Sequence, residues 1–177
     1  MTTTFVHLRL RTEFSLIDSV VRIKPLVKKL VEMGMPACAI TDHCNFYGLI
    51  KFYNAAQGAG IKPIAGCDFW MNGSDPDDAP TLLTCLAMNE AGYKSITELI
   101  SRAFQKGQRQ GVPYVERDWV VEFGEGVILL SGGKLGDVGM ALVGGRNDDA
   151  KQSLQQWMQD FPNRFYLELQ RTGREND

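Results

Sequence analysis

A chain of 177 residues, 44 % hydrophobic and 23 % charged, can bury the core of one globular domain, and its formal charge of −2 argues against unaided binding to a nucleic-acid backbone. Cys38, Cys44, Cys67 and Cys85 have neither the paired spacing of a zinc site nor the density of a disulfide scaffold, which points to a reduced, intracellular protein. No apolar run reaches the length of a membrane span and the first five residues lack the regions of a signal peptide, so a cytoplasmic protein without a membrane partner is expected.

The first predicted strand covers 5–11, where Val6, Leu8 and Leu10 alternate with His7, Arg9 and Arg11. A loop over 12–24 follows, and Pro25 opens a helix carrying Val27, Leu30, Val31 and Gly34 on one face. The small apolar run 37–40 reads as a parallel strand covered on both faces, ending in polar Thr41-Asp42-His43. Helical spacing then runs over 47–59, and a strand over 63–71. Residues 72–80, rich in Asp, Gly and Pro, read as an exposed acidic excursion.

Strand four is expected over 81–88, and Asn89 caps a helix to about residue 104 with Tyr93, Ile96, Leu99, Ile100 and Ala103 inward. A flexible basic loop at 106–111, read as a solvated connector, precedes a short helix to Val121 capped by Asp118. Strand five spans 127–130 and leads into Gly132-Gly133-Lys134, which lacks the spacing of a phosphate-binding loop and reads as a strand-to-helix turn. A glycine-interrupted helix over 135–143 and a helix with Leu154, Trp157, Met158 and Phe161 on one stripe precede strand six, 165–170. Trp70, Trp119 and Trp157 read as core or interface anchors.

Alternating strands and helices imply a parallel α/β fold. A doubly wound sheet would bury uniformly apolar strands, whereas several strands here carry polar groups at their ends or on one face. A barrel gathers such groups at its mouth, so an incomplete barrel is expected, with the chain a fragment of something longer. Asp42-His43 is the most site-like pair, because both side chains can ligate a metal or exchange a proton, and Asp68 repeats the pattern one strand on. The bland readings are a turn cap for Asp42 and a structural acceptor for Asp68.

The stretches 5–18, 39–43 (Ala39-Ile40-Thr41-Asp42-His43), 60–68 and 89–93, with 128–133 and 166–173, together resemble the PHP (polymerase and histidinol phosphatase) domain family. More narrowly, they resemble the amino-terminal PHP domains of the bacterial replicative DNA polymerase III alpha-subunit family. The resemblance implies a distorted (β/α)7 barrel, incomplete in this chain, with later strands and the polymerase module beyond it. It also implies up to three metal ions at the mouth of catalytic members, held by His, Asp and Glu.

Against that pattern the departures are informative. The His-x-His pair of the family's first strand falls on Arg9 and Arg11, with His7 at the preceding same-face position. Further His positions fall on Leu82 and Thr172; Asp42 and His43 match, and Asp68 stands in for a Glu. A last Asp-x-His pair would lie beyond residue 177. Arginine cannot become a ligand, and each guanidinium about 5 Å from a divalent ion would repel it by roughly 6 kcal/mol at an effective dielectric near 20. Arg9 and Arg11 are instead expected to fork onto Asp42 and Asp68 as fixed cations.

These readings imply a catalytically inactive PHP domain with a structural and protein-docking role, no metal and no cofactor of its own. The resemblance implies as partners a proofreading exonuclease subunit and the rest of a polymerase chain, which would carry out magnesium-dependent, DNA-directed DNA synthesis as a nucleotidyltransferase and meet DNA itself. Two alternatives are a metal-dependent phosphoesterase or pyrophosphatase using Asp42, His43 and Asp68, and a metal-free phosphate site built from His7, Arg9 and Arg11.

Overall fold

The alternating pattern folds into one mixed sheet with helices packed on one face. The computed structural model describes residues 5–73, 78–170 and 173. In chain order the elements are a 3-10 turn (Glu13–Asp18), α1 (Ile23–Glu32), β1 (Ala37–His43), α2 (Leu49–Gly58), β2 (Lys62–Met71), β3 (Thr81–Ala87) and α3 (Glu90–Lys106). Then come β4 (Gln108–Arg109), β5 (Val112–Val115), α4 (Arg117–Glu122), β6 (Val127–Leu130), a second 3-10 turn (Gly133–Leu135), α5 (Asp137–Val143), α6 (Asn147–Asp160) and β7 (Phe165–Tyr166).

Strand order is β4-β5-β2-β3-β6-β7, with β1 also on β2. β1 and β2 are parallel across the α2 crossover, and β6 and β7 are parallel across α5 and α6. The purely parallel expectation fails at β3, which runs antiparallel to both β2 and β6. The cause is connection length: residues 72–80 are too few for the dozen-residue crossover that a parallel return requires, so the chain turns straight back. Part of that acidic excursion, 74–77, lies outside the described residues.

The basic loop is also ordered differently. Gln110 and Gly111 both have positive φ, 51° and 82°, the signature of a two-residue hairpin turn, and they join β4 to β5. Asn89 caps α3 as expected, its side chain accepting from the Gly92 amide at 3.0 Å, but Asp118 lies inside the first turn of α4, whose N-cap is Glu116. Strand six shortens to two residues. On the helices, Ile96, Leu99 and Ala103 are buried while Tyr93 and Met158 face solvent, because each sits at the edge of its apolar stripe.

The main core lies between the sheet and α3, α4 and α6. There Trp157 is buried, stacks on Phe165 at 5.7 Å and donates its indole N–H to Asp137 Oδ2 at 2.8 Å. A second cluster under α1 and α2 holds Ile23, Leu30, Ile40 and Phe52. The opposite face of the sheet carries Ala39, Ile64, Leu86 and Leu130 toward the barrel interior. The sheet does not close: the segment 5–11 lies along β1 and the segment 165–170 along β6, and a cavity of about 1670 Å³ opens between these edges.

Candidate functional site

Strand alternation decides which polar side chains meet. His43 pairs in register with Asp68, so both face the barrel interior, whereas Asp42 pairs with Cys67 and faces the helices. The two carboxylates expected to share one pocket are therefore on opposite faces of the sheet.

Asp42 is buried and saturated by neutral donors. Its Oδ1 accepts from the Thr12 amide at 2.6 Å and Ser15 Oγ at 2.7 Å, and its Oδ2 accepts from Thr12 Oγ1 at 2.7 Å. The expected ion pair between Asp42 and an arginine is not formed; Asp42 instead locks the loop that follows the first segment.

Asp68 is fully buried and takes both guanidiniums. Its Oδ2 accepts from Arg9 Nε at 3.0 Å and Arg11 Nε at 2.9 Å, while Oδ1 accepts from Thr84 Oγ1 at 2.6 Å. Each arginine then reaches a second carboxylate: Arg9 Nη1 donates to Glu168 Oε1 at 3.0 Å and Arg11 Nη1 to Asp18 Oδ2 at 3.1 Å. Burial opposes the charge on Arg9, but Asp68 and Glu168 outweigh it and hold the guanidinium above its ordinary pKa. Because Glu168 follows β7, the Arg9–Glu168 pair also clasps the two open edges of the sheet.

The predicted first strand is irregular, and that irregularity aims the arginines. The Ala39 amide donates to the His7 carbonyl and the Thr41 amide to the Leu10 carbonyl, at 2.8 and 2.7 Å. Three residues advance on the outer segment against two on β1, as in a bulge, and only one ladder bridge, His7 to Cys38, is left. His7 lies beside the start of β1, roughly 16 Å along the strand from the Asp68 level, with its ring edge-on to Phe5. It is not brought to the cluster.

His43 stands beside the cluster with both ring nitrogens buried and unpartnered, its ring 6.0 Å from that of Trp70. Burial, and then the charge of Arg11, push its pKa below the ordinary value and favour the neutral imidazole. Leu82 is buried opposite Trp70 and offers no ligand atom, and Thr172 lies outside the described residues. Sequence reasoning missed Glu168, Asp18, Thr84, Thr12 and Ser15. Period-two spacing of Tyr166, Glu168 and Gln170 could have singled out Glu168, but the pairing of Thr84 with Asp68 depends on a hairpin register that no local pattern encodes.

The donor set does not suit a divalent metal. Asp68, fully buried on the interior face, already holds two permanent cations, Glu168 at the cavity wall is paired with Arg9, and Asp42 faces the other way with both oxygens engaged. Among the described residues no three His, Cys, Asp or Glu side chains converge on one point.

Comparison with known proteins gives the class to which this fold and pocket belong. The PHP domain family matches residues 7–172, and the chain belongs to that family. It is 55 % identical over 177 residues to DNA polymerase III subunit alpha of Pseudomonas fluorescens, and 48 % identical over 173 residues to that of Escherichia coli. These matches cover 100 % and 98 % of this chain, which spans about 15 % of the length of these relatives. Two solved structures share the fold. A protein from Bifidobacterium adolescentis described as a metal-dependent phosphoesterase aligns with a TM-score of 0.54 at 12 % identity, covering 89 % of this chain and 84 % of its own. An amidohydrolase from Chromobacterium violaceum aligns with a TM-score of 0.53 at 10 % identity, covering 92 % and 84 %.

Proposed function

We propose that this PHP domain is catalytically inactive and acts as a scaffold within the alpha subunit of a replicative DNA polymerase, where it helps to hold the proofreading exonuclease subunit. The observation that carries this reading is the double arginine grip on Asp68: fixed cations stand where the family's metal ligands would be, and both engage its Oδ2. The high identity to polymerase alpha subunits supports the parentage. In this reading the parent chain performs magnesium-dependent DNA synthesis in the cytoplasm and meets DNA itself, while the residues described above contribute architecture. A metal-dependent phosphoesterase is less well supported for the same reason. A grip on free phosphate is weaker too, because Arg9 and Arg11 already each face two carboxylates.

The test uses the full-length native polypeptide, dialysed against a weak chelator, with zinc, manganese and iron measured alongside phosphoesterase and pyrophosphatase turnover. No stoichiometric transition metal and no turnover are expected. Retained metal with turnover abolished by Asp68→Ala would overturn the inactive assignment. For the docking role, removal of this domain is expected to abolish capture of the exonuclease subunit, and undiminished capture would refute it.

A further inference from the structure

The cations of the chain are unevenly placed. Between Asp18 and Glu32 the sequence holds Arg22, Lys24, Lys28 and Lys29 and no acidic residue, although the whole chain carries a formal charge of −2. All four are exposed, on α1 or at its N-cap. Lys51 of α2 extends the patch, because Glu13 lies 3.9 Å from Arg22 and 3.5 Å from Lys51 and so brings these two cations together. Glu13 and Glu32 offset part of the charge, Glu32 through Lys29, but among the described residues Lys24 and Lys28 pair with no carboxylate.

A solvated helix face is the ordinary reading of a charge run, and α1 is not built like one. Such faces set acids against bases one turn apart, whereas Lys24 and Lys28 are like charges at that spacing and repel. The first turn holds Lys24 and no acid, the arrangement that a helix dipole disfavours, and Arg22 at the N-cap makes no side-chain capping bond. Local choices that oppose the fold mark surfaces kept for a ligand, and an uncompensated basic stripe along a helix suits a polyanion. Tyr47, on the same segment as Lys51, is 72 % exposed. Cations that track a backbone, joined to an aromatic ring on which a base can stack, are the recurring parts of single-strand binding. The parentage proposed above makes DNA the polyanion at hand. We propose that α1 and the start of α2 bind the backbone of single-stranded DNA through Arg22, Lys24, Lys28 and Lys51, with Tyr47 stacking on a base; this deepens the polymerase reading and rests on it for the choice of polyanion. With no general positive field in the chain, the hold is local and adds to that of the parent polypeptide.

The experiment follows acetylation of surface lysines in the full-length polypeptide by peptide mass, with and without an oligothymidylate, and titrates binding of that oligonucleotide by fluorescence anisotropy across a range of salt. Lys24 and Lys28 are expected to react several-fold more slowly when the DNA is present, while Lys94 on α3 and Lys151 on α6, also exposed, stay unprotected. Lys24→Gln combined with Lys28→Gln should lower the steepness of log affinity against log salt by about 1.4, at about 0.7 for each cation on a single strand. Tyr47→Ala should weaken binding about fivefold or more at unchanged steepness. Unprotected Lys24 and Lys28 with an unchanged slope in the double variant overturn the site, as does an equal loss of slope from Lys94→Gln combined with Lys151→Gln. Protection by duplex DNA but not by the oligothymidylate overturns the single-strand assignment, and protection by the exonuclease subunit alone gives the patch to a protein and overturns the proposal. Primer extension, measured in parallel, tests the parentage separately: its absence would overturn that reading while the footprint still decides the site.

Discussion

Asp42 and Asp68 occupy neighbouring strands and nearly the same height, yet one is held by three neutral donors and the other by two guanidiniums. The difference comes from one step of strand alternation. Facing the helices, Asp42 meets a turn whose amide and hydroxyls engage both of its oxygens. Facing the barrel interior, Asp68 meets the arginine segment and ties together β2, β3, the first segment and, through Arg9, the segment after β7. A carboxylate at a strand end is thus a loop lock or an ionic hub according to its face, and its residue type does not tell which.

Like-for-like amide substitutions should separate the two. Asp68→Asn removes the charge that both arginines share in a buried setting and is expected to lower stability by about 3 kcal/mol in denaturant melts. Arg9→Gln should cost about 2 kcal/mol, because Asp68 keeps Arg11 but the clasp to Glu168 is gone. Asp42→Asn leaves most acceptor geometry in place and is expected to cost only about 1–2 kcal/mol. If the two Asp→Asn variants were equally destabilised, the distinction between hub and lock would fail.

Much of this arrangement was legible in the sequence, and the misses are physical. The alternation of Arg9 and Arg11 could be read directly because period two is local, whereas their place opposite a strand-end carboxylate was implied by the resemblance to the PHP family and fell on Asp68 alone. The direction of β3 could have been read from the short connection at 72–80, but the parallel pattern elsewhere outweighed it. The bulge at 7–10 and the register that puts Thr84 on Asp68 are set by long-range pairing, and so could not be read.

Smaller effects sharpen the comparison further. Thr84→Val should cost about 1 kcal/mol, since Asp68 loses one of three donors while the volume is kept. His43 gives a pH signature confined to the interior face. In the unfolded chain it takes up a proton near the usual value of about 6.5, and in the folded chain only at lower pH. Between the two values the unfolded state binds more protons, so stability falls as pH drops below about 6.5. His43→Gln should flatten that part of the stability curve; an unchanged slope would mean that another group causes it.

The account rests on Arg9 and Arg11 holding Asp68 in place of an ion. Crystals of the full-length polypeptide soaked in manganese, with diffraction collected at an energy where that metal scatters anomalously, test this directly. No anomalous peak within coordination distance of Asp68 is expected, with both guanidiniums on its Oδ2. A well-occupied peak there, with the arginines displaced, would contradict it.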